Sequence, residues 1–169
     1  MRYGFTTGSC AAAASKAAAY MLLTGKLKQN ITIQTPKGIL FQTEILETTR
    51  SETEVTCAVR KDGGDDPDIT SGTLIFSTVR FADREKKIPG QNNRQLSGIH
   101  VEAMQEKRAV ICIDGGEGVG RVTKPGLDQQ VGNAAINHVP REMIEKEVQE
   151  KQIPMPAVIV VGDTVRLPE

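Results

Sequence analysis

Tryptophan is missing from this 169-residue chain, and other aromatic residues are few, with four Phe and two Tyr. Without rings to stack on bases, a platform for single-stranded nucleic acid is not expected. A core has to be assembled from Ile, Val, Leu and Ala instead. An excess of charge is equally lacking, because twenty-one Lys and Arg balance twenty-one Asp and Glu. A neutral chain projects no broad field toward DNA, RNA or an anionic membrane, so any anionic ligand must be met by local donors. The three cysteines (Cys10, Cys57 and Cys112) are odd in number and form no C-x-x-C pair. That excludes a disulfide framework and a thiolate zinc site, and suits a reducing cytoplasm. No apolar run approaches the roughly twenty residues that cross a bilayer. The opening MRYGFTTGSC also lacks the apolar stretch of a secretory signal. The expectation is a soluble, cytoplasmic protein. Its hydrophobic fraction of 38% is enough for one packed domain and too much for disorder.

The residues present divide into recognisable elements. Ala11 to Leu23 holds strong helix formers without Gly or Pro, with Thr7 and Ser9 as capping residues before it and Gly25 after it. Its alanine runs make a smooth surface that another element can approach closely. ITIQT (31–35) and ILFQTEI (39–45) flank Pro36-Lys37-Gly38 and predict a hairpin. EVTCAVR (54–60) and TLIFSTVRF (73–81) alternate like half-buried strands. The polar stretch 82–95 is expected to be a flexible excursion, RAVICID (108–114) a buried strand, and Pro140 to about Lys151 a helix with proline in its first turn. AVIVV (157–161) reads as a last strand. This order predicts a single α+β domain with a mixed or antiparallel sheet, an N-terminal alanine-rich helix and a late helix.

Three segments are candidates for chemistry. Gly116, Gly118 and Gly120 give G-x-G-x-G, but Arg121 replaces the last glycine of a dinucleotide fingerprint. Gly115 to Gly120 has P-loop spacing but is followed by Arg121-Val122 rather than Lys-Ser or Lys-Thr. The segment is therefore either a tight turn or a set of backbone N–H groups near an anion, and spacing favours the turn. The loop from Lys61 to Asp68 crowds four carboxylates into seven positions without the glycine and terminal Glu of a calcium hand. A solvated turn is the plain reading, while Asp65 or Asp66 could instead accept a proton or orient a substrate amine. At Thr6-Thr7-Gly8-Ser9-Cys10, hydroxyls and free N–H groups meet a positive helix end, which suits either simple capping or an anion. Cys10 is better read as a packed thiol than as a nucleophile, because neither His100 nor His138 completes a Cys–His signature.

Taken in order, RYGFTTGSCAAAASKAAAYMLLTG, VRKDGGDDPDITSG, GGEGVGRVTKPGL and AINHVPREMI resemble the successive signature blocks of the CbiD family, over residues 2 to about 144. The resemblance implies methyl transfer from S-adenosylmethionine to C-1 of cobalt-precorrin-5B in anaerobic cobalamin biosynthesis. It implies an anionic cobalt-corrinoid as partner, no resident metal, no nucleic acid or membrane, and self-association or another pathway enzyme as further partners. Within it, Arg121, Lys124 and Arg141 are expected to meet the acetate and propionate arms of the macrocycle. Thr6, Thr7 and Ser9 at the helix mouth hold a further arm, with Gly116, Gly118 and Gly120 lining the substrate side. Asp65 and Asp66 are assigned the catalytic or donor-facing role. Residues 1–152 would form the family's N-terminal domain and 153–169 a short tail strand, without the second α/β domain of longer members. IPMPAVIVVGDTVRLPE also resembles the closing strand of tetrapyrrole methyltransferases such as uroporphyrinogen-III C-methyltransferase. One departure is Gly132-Asn133-Ala134-Ala135-Ile136-Asn137-His138, where the family pattern is closer to G-x-P-A-I-N-P. The alternatives to an active methyltransferase are a non-catalytic corrinoid-binding remnant or accessory domain, and a phosphate- or nucleotide-binding module using GGEGVG.

Overall fold

The computed structural model describes residues 4–64, 71–81, 111–126, 128–151 and 157–164. The element order is α1 (Thr7–Thr24), β1 (Asn30–Gln34), β2 (Leu40–Glu44), β3 (Leu46–Arg50), β4 (Glu54–Arg60), β5 (Leu74–Phe81), β6 (Ile111–Gly115), α2 (His138–Gln149) and β7 (Ala157–Thr164).

Helix α1 begins where its hydroxyls can satisfy the first free N–H groups. Thr6 is the N-cap, and its Oγ1 accepts the Ser9 N–H at 3.1 Å. Thr7, named above as a cap, is instead the first helical residue. The helix ends at Gly25, whose left-handed φ of 68° returns its N–H to the Met21 carbonyl. Residues 8–15 and 17–19 are all buried. Alanine makes this possible, because small side chains let the helix axis come close to its neighbours. Cys57 Sγ reaches the Ala14 carbonyl at 3.2 Å, and the Ser15 and Ser77 hydroxyls pair at 2.7 Å. The α1 backbone therefore rests almost directly on β4 and β5. Ser15 Oγ also donates to the Ala11 carbonyl at 2.7 Å, so the pair is what satisfies Ser77, whose hydroxyl left without a bond would cost about 1–3 kcal/mol.

The strands form two sheets. β1 and β2 make the expected antiparallel hairpin, turned at 35–38, where Gly38 has φ 78° and donates to the Thr35 carbonyl. The larger sheet has the order β3-β4-β5-β7-β6. Its pairs are antiparallel except β6 and β7, which run parallel. In β5 the buried positions Ile75, Ser77 and Val79 alternate with more exposed ones, whereas β4 buries Val55 and then Cys57, Ala58 and Val59 in a row. Strand β3 was not anticipated. A bulge between Leu46 and Thr49, with Glu47 at φ 50°, breaks the alternation that would have announced it. β7 lies inside the sheet, paired on both edges, and α2 connects β6 to it. One β-α-β crossover thus closes an otherwise antiparallel α+β fold. The stretch 82–95 lies outside the described residues.

Candidate functional site

The register of the large sheet decides which loops are neighbours. Arg60 of β4 stands opposite Leu74 of β5, and Leu74 opposite Thr164 of β7. Gly115 of β6 lies beside Val161 of β7. The carboxyl ends of β4, β6 and β7 therefore share one edge. Helix α1 starts at that edge, because the Phe5 N–H donates to the Asp62 carbonyl at 2.9 Å. Helix α2 starts there too and runs alongside α1 in the same direction. A Cβ on Gly8 would lie 2.9 Å from Pro140 Cγ, and two turns on Lys16 Nζ is 2.6 Å from Glu147 Oε2 and 3.7 Å from Glu150 Oε2. Two helix N-termini, each with a partial positive charge, thus open onto the carboxyl edge of the sheet. Within that edge β6 and β7 form a parallel pair, the setting in which open α/β sheets bind ligands at the strands' carboxyl ends.

At the α1 mouth, Thr6 is exposed, Thr7 half-buried and Ser9 buried. The Thr6 and Ser9 hydroxyls lie 3.1 Å apart, so these groups cap the helix and one another. Beside them, the loop after β4 is fixed by Gly64 N–H donating to Asp62 Oδ1 at 2.9 Å and Gly63 N–H to Ser71 Oγ at 3.2 Å. Asp65 and Asp66 lie outside the described residues.

The glycine segment leaves β6 as a tight turn. The Gly116 N–H donates to the Val161 carbonyl at 2.7 Å and the Val119 N–H to the Gly116 carbonyl at 3.2 Å. Gly118 has φ 83°, a conformation that suits glycine, and Gly118 and Gly120 are exposed while Gly116 is half-buried. A small ladder then returns the chain, with Val122 N–H to the Asn133 carbonyl and Ala135 N–H to the Gly120 carbonyl.

Both arginines of this region bond to the protein's own groups. Arg121 forks onto Asp114, with Nη1 to Oδ1 at 2.6 Å and Nη2 to Oδ2 at 3.2 Å, and also reaches the Gly115 carbonyl at 3.2 Å. The Asp114 hydrogen bond pushes its guanidinium pKa up, against a desolvation that pulls it down. Arg141 donates from Nε to the Ile136 carbonyl and from Nη1 to the Ile113 carbonyl, both at 2.9 Å, and from Nη2 to the Ala134 carbonyl at 3.2 Å. Burial lowers its pKa, and the charges of Asp114 and Asp128 oppose that shift. A guanidinium has five N–H donors, so each arginine keeps two beyond these bonds. Lys124 is exposed three residues after Arg121.

Sequence reasoning missed two carboxylates. Asp114 anchors Arg121, and Asp128 accepts the His138 N–H at the mouth of α2, where the N-cap Asn137 makes no side-chain bond. That backbone bond is the main cause of Asp128's lowered pKa. Neither spacing matches a local rule, since Asp128 caps a helix that begins ten residues later. Among the described residues, no three His, Cys, Asp or Glu side chains come together as a metal site, and no helix is long and apolar enough to cross a membrane.

The CbiD family model matches residues 1–165. The chain is 47% identical to the cobalt-precorrin-5B C(1)-methyltransferase of Thermoanaerobacter sp. (strain X514) over 150 residues, covering 89% of this chain and 34% of the relative. The protein of the same name from Geobacillus kaustophilus is also 47% identical over 150 residues, with 89% and 34% covered. That from Thermosipho africanus is 44% identical, with 89% and 35% covered. The chain thus spans about a third of the length of the curated relatives it matches. A crystal structure of the cobalamin biosynthesis protein (cbiD) from Archaeoglobus fulgidus shares the fold. Its TM-score is 0.55 at 23% identity, over 95% of this chain and 43% of that one. By the extent of the family match, and with its four sequence blocks on one fold, this chain belongs to the CbiD family.

Proposed function

We propose that this chain is the corrinoid-holding part of a cobalt-precorrin-5B C-1-methyltransferase, acting in the cytoplasm on the route to cobalamin. One observation carries the reading. Blocks far apart in sequence, around Thr7, Asp62, Gly116 and Pro140, border a single sheet edge onto which two helix N-termini open. The names of the relatives supply the reaction.

S-adenosylmethionine supplies a methyl group already activated toward an electron-rich ring carbon, so no side chain has to form a covalent bond. The work left to the protein is positional and electrostatic. Lys124 and the remaining donors of Arg121 and Arg141 take carboxylate arms of the macrocycle, as charge-assisted bonds favour. Thr6, Thr7 and Ser9 take another arm through the N–H groups of the α1 mouth. The exposed backbone of Gly118 and Gly120 admits the ring edge, with Gly116 holding the turn. Asp65 and Asp66, outside the described residues, are assigned to the cationic donor rather than to the macrocycle, because carboxylates repel its anionic arms.

The share of the relatives that this chain spans favours a second reading, in which the corrinoid binds without turnover. Mixing the chain with S-adenosylmethionine and cobalt-precorrin-5B separates the two. A mass gain of one methyl group supports the enzyme. A shift of the corrinoid absorbance without mass gain supports the binding domain. A chain that leaves both mass and absorbance unchanged overturns both.

A further inference from the structure

A groove of about 660 Å³ runs between the β1–β2 hairpin and the chain after β4, with Phe5, Phe41, Glu44, Arg60 and Asp62 among its walls. Its size lies within the range of small-molecule sites, about 300–1,000 Å³. Phe5 stacks on Phe41 with ring centroids 4.1 Å apart. Phe41 is 4% exposed, so the aromatic surface offered to the groove is that of Phe5. Charges of both signs stand on the rim. Arg60 is exposed and commits one donor, Nη1, to the Gly72 carbonyl at 3.3 Å. Glu44, another residue of the lining, is exposed. The groove adjoins the α1 mouth, because Phe5 and Asp62 are hydrogen-bonded to each other there.

This chemistry differs from that of the glycine-loop edge. Beside its charges the groove offers the aromatic face of Phe5, which none of the residues named at the glycine-loop edge supplies. A zwitterion with a flat heteroaromatic group matches every feature. The guanidinium forks onto an α-carboxylate, the carboxylate attracts the cationic end, and the ring packs on Phe5. We propose that this groove on the family's N-terminal domain holds the methyl donor, an adenosyl amino acid. The inference rests on the methyltransferase reading above. It seats the donor beside the α1 mouth, within reach of a macrocycle lying over the same sheet edge.

Titration calorimetry of the full chain with S-adenosylmethionine, S-adenosylhomocysteine and adenosine tests it. The wild type is expected to bind all three. Arg60→Ala weakens the two amino-acid ligands by about ten-fold and leaves adenosine unchanged, because adenosine has no carboxylate to lose. Phe5→Leu weakens all three. Glu44→Gln weakens S-adenosylmethionine more than S-adenosylhomocysteine, because only the former carries a sulfonium charge. Circular dichroism confirms that each variant is folded, and Arg60→Ala, an exposed substitution, carries the test if Phe5→Leu does not fold. Corrinoid titration of the same samples separates the two ideas. Intact corrinoid binding with no adenosyl binding, or with adenosyl binding indifferent to Arg60→Ala and Glu44→Gln, overturns the groove alone. Loss of both kinds of binding from the wild type overturns the methyltransferase reading with it.

Discussion

At Gly115 the last residue of β6 meets the loop that it starts. A Cβ there would fall 2.7 Å from Val119 Cγ1 and 2.9 Å from Ala134 Cβ. Val119 is anchored by its own N–H, and Ala134 is buried in the core, so neither can retreat easily. Gly115→Ala is therefore expected to destabilise the fold by about 1–3 kcal/mol, the usual range for an overpacked site. Urea denaturation would show it as a lower midpoint with an unchanged slope. The run GGEGVG announced a tight turn by composition, and the structure has one. That its first glycine is required by packing was not legible, because Ala134 lies nineteen residues downstream. The same holds for Asp114 and Arg121, whose pairing depends on how the returning ladder folds back. The caps of α1 were legible to within a residue, since Gly25 and the Thr6–Ser9 cluster act within one helical turn of their targets.

Between elements, the parallel packing of α1 on α2 puts both helix N-termini at one edge, and Lys16 joins them. Its Nζ lies 2.6 Å from Glu147 Oε2, an approach that gives charge compensation without a well-aligned hydrogen bond. It also donates to the Thr32 carbonyl at 3.2 Å, tying the helix pair to the hairpin. Glu147 is 3% exposed, and Lys16 is the cation that lies against it. Lys16→Met is expected to destabilise by about 3–5 kcal/mol, as for other buried pairs broken on one side. The double change Lys16→Met with Glu147→Leu should recover most of that loss, and a thermodynamic cycle from chemical denaturation measures it. Strand β5 was legible from its period of two, as was the hairpin from Pro36-Lys37-Gly38, while β4 keeps that period only up to Cys57 because Ala58 is buried too. The inner position of β7 was not legible. AVIVV reads as a continuous apolar run, as strands buried on both faces do, but such a run does not say which partners flank it. Here these are β5 and β6, the latter some forty-five residues earlier in the chain.

Over the whole molecule, equal numbers of acidic and basic groups leave no net field at neutral pH, so its pH response falls to individual sites. Asp128 is one whose effect has a definite sign. The His138 N–H that it accepts at the mouth of α2 lowers its pKa from the ordinary 3.8. His138 Nδ1 lies 3.5 Å from the same carboxylate, and Glu142 is on the other side of the imidazole. A group whose folded pKa is depressed stabilises the fold fully above its unfolded value, and that contribution fades as pH falls through the folded value. The wild type should therefore be more stable than Asp128→Ala at neutral pH. The difference should shrink steadily below the ordinary carboxylate pKa as protonation removes the charged cap. Paired thermal melts across that range check the sign, and a difference that grew toward acid would contradict this role. Asp128 ties the loop carrying Lys124 to the start of α2, the helix that carries Arg141. Its protonation is thus expected to loosen the proposed corrinoid edge before the core opens, with the Ser15–Ser77 interface of α1 and the sheet still closed.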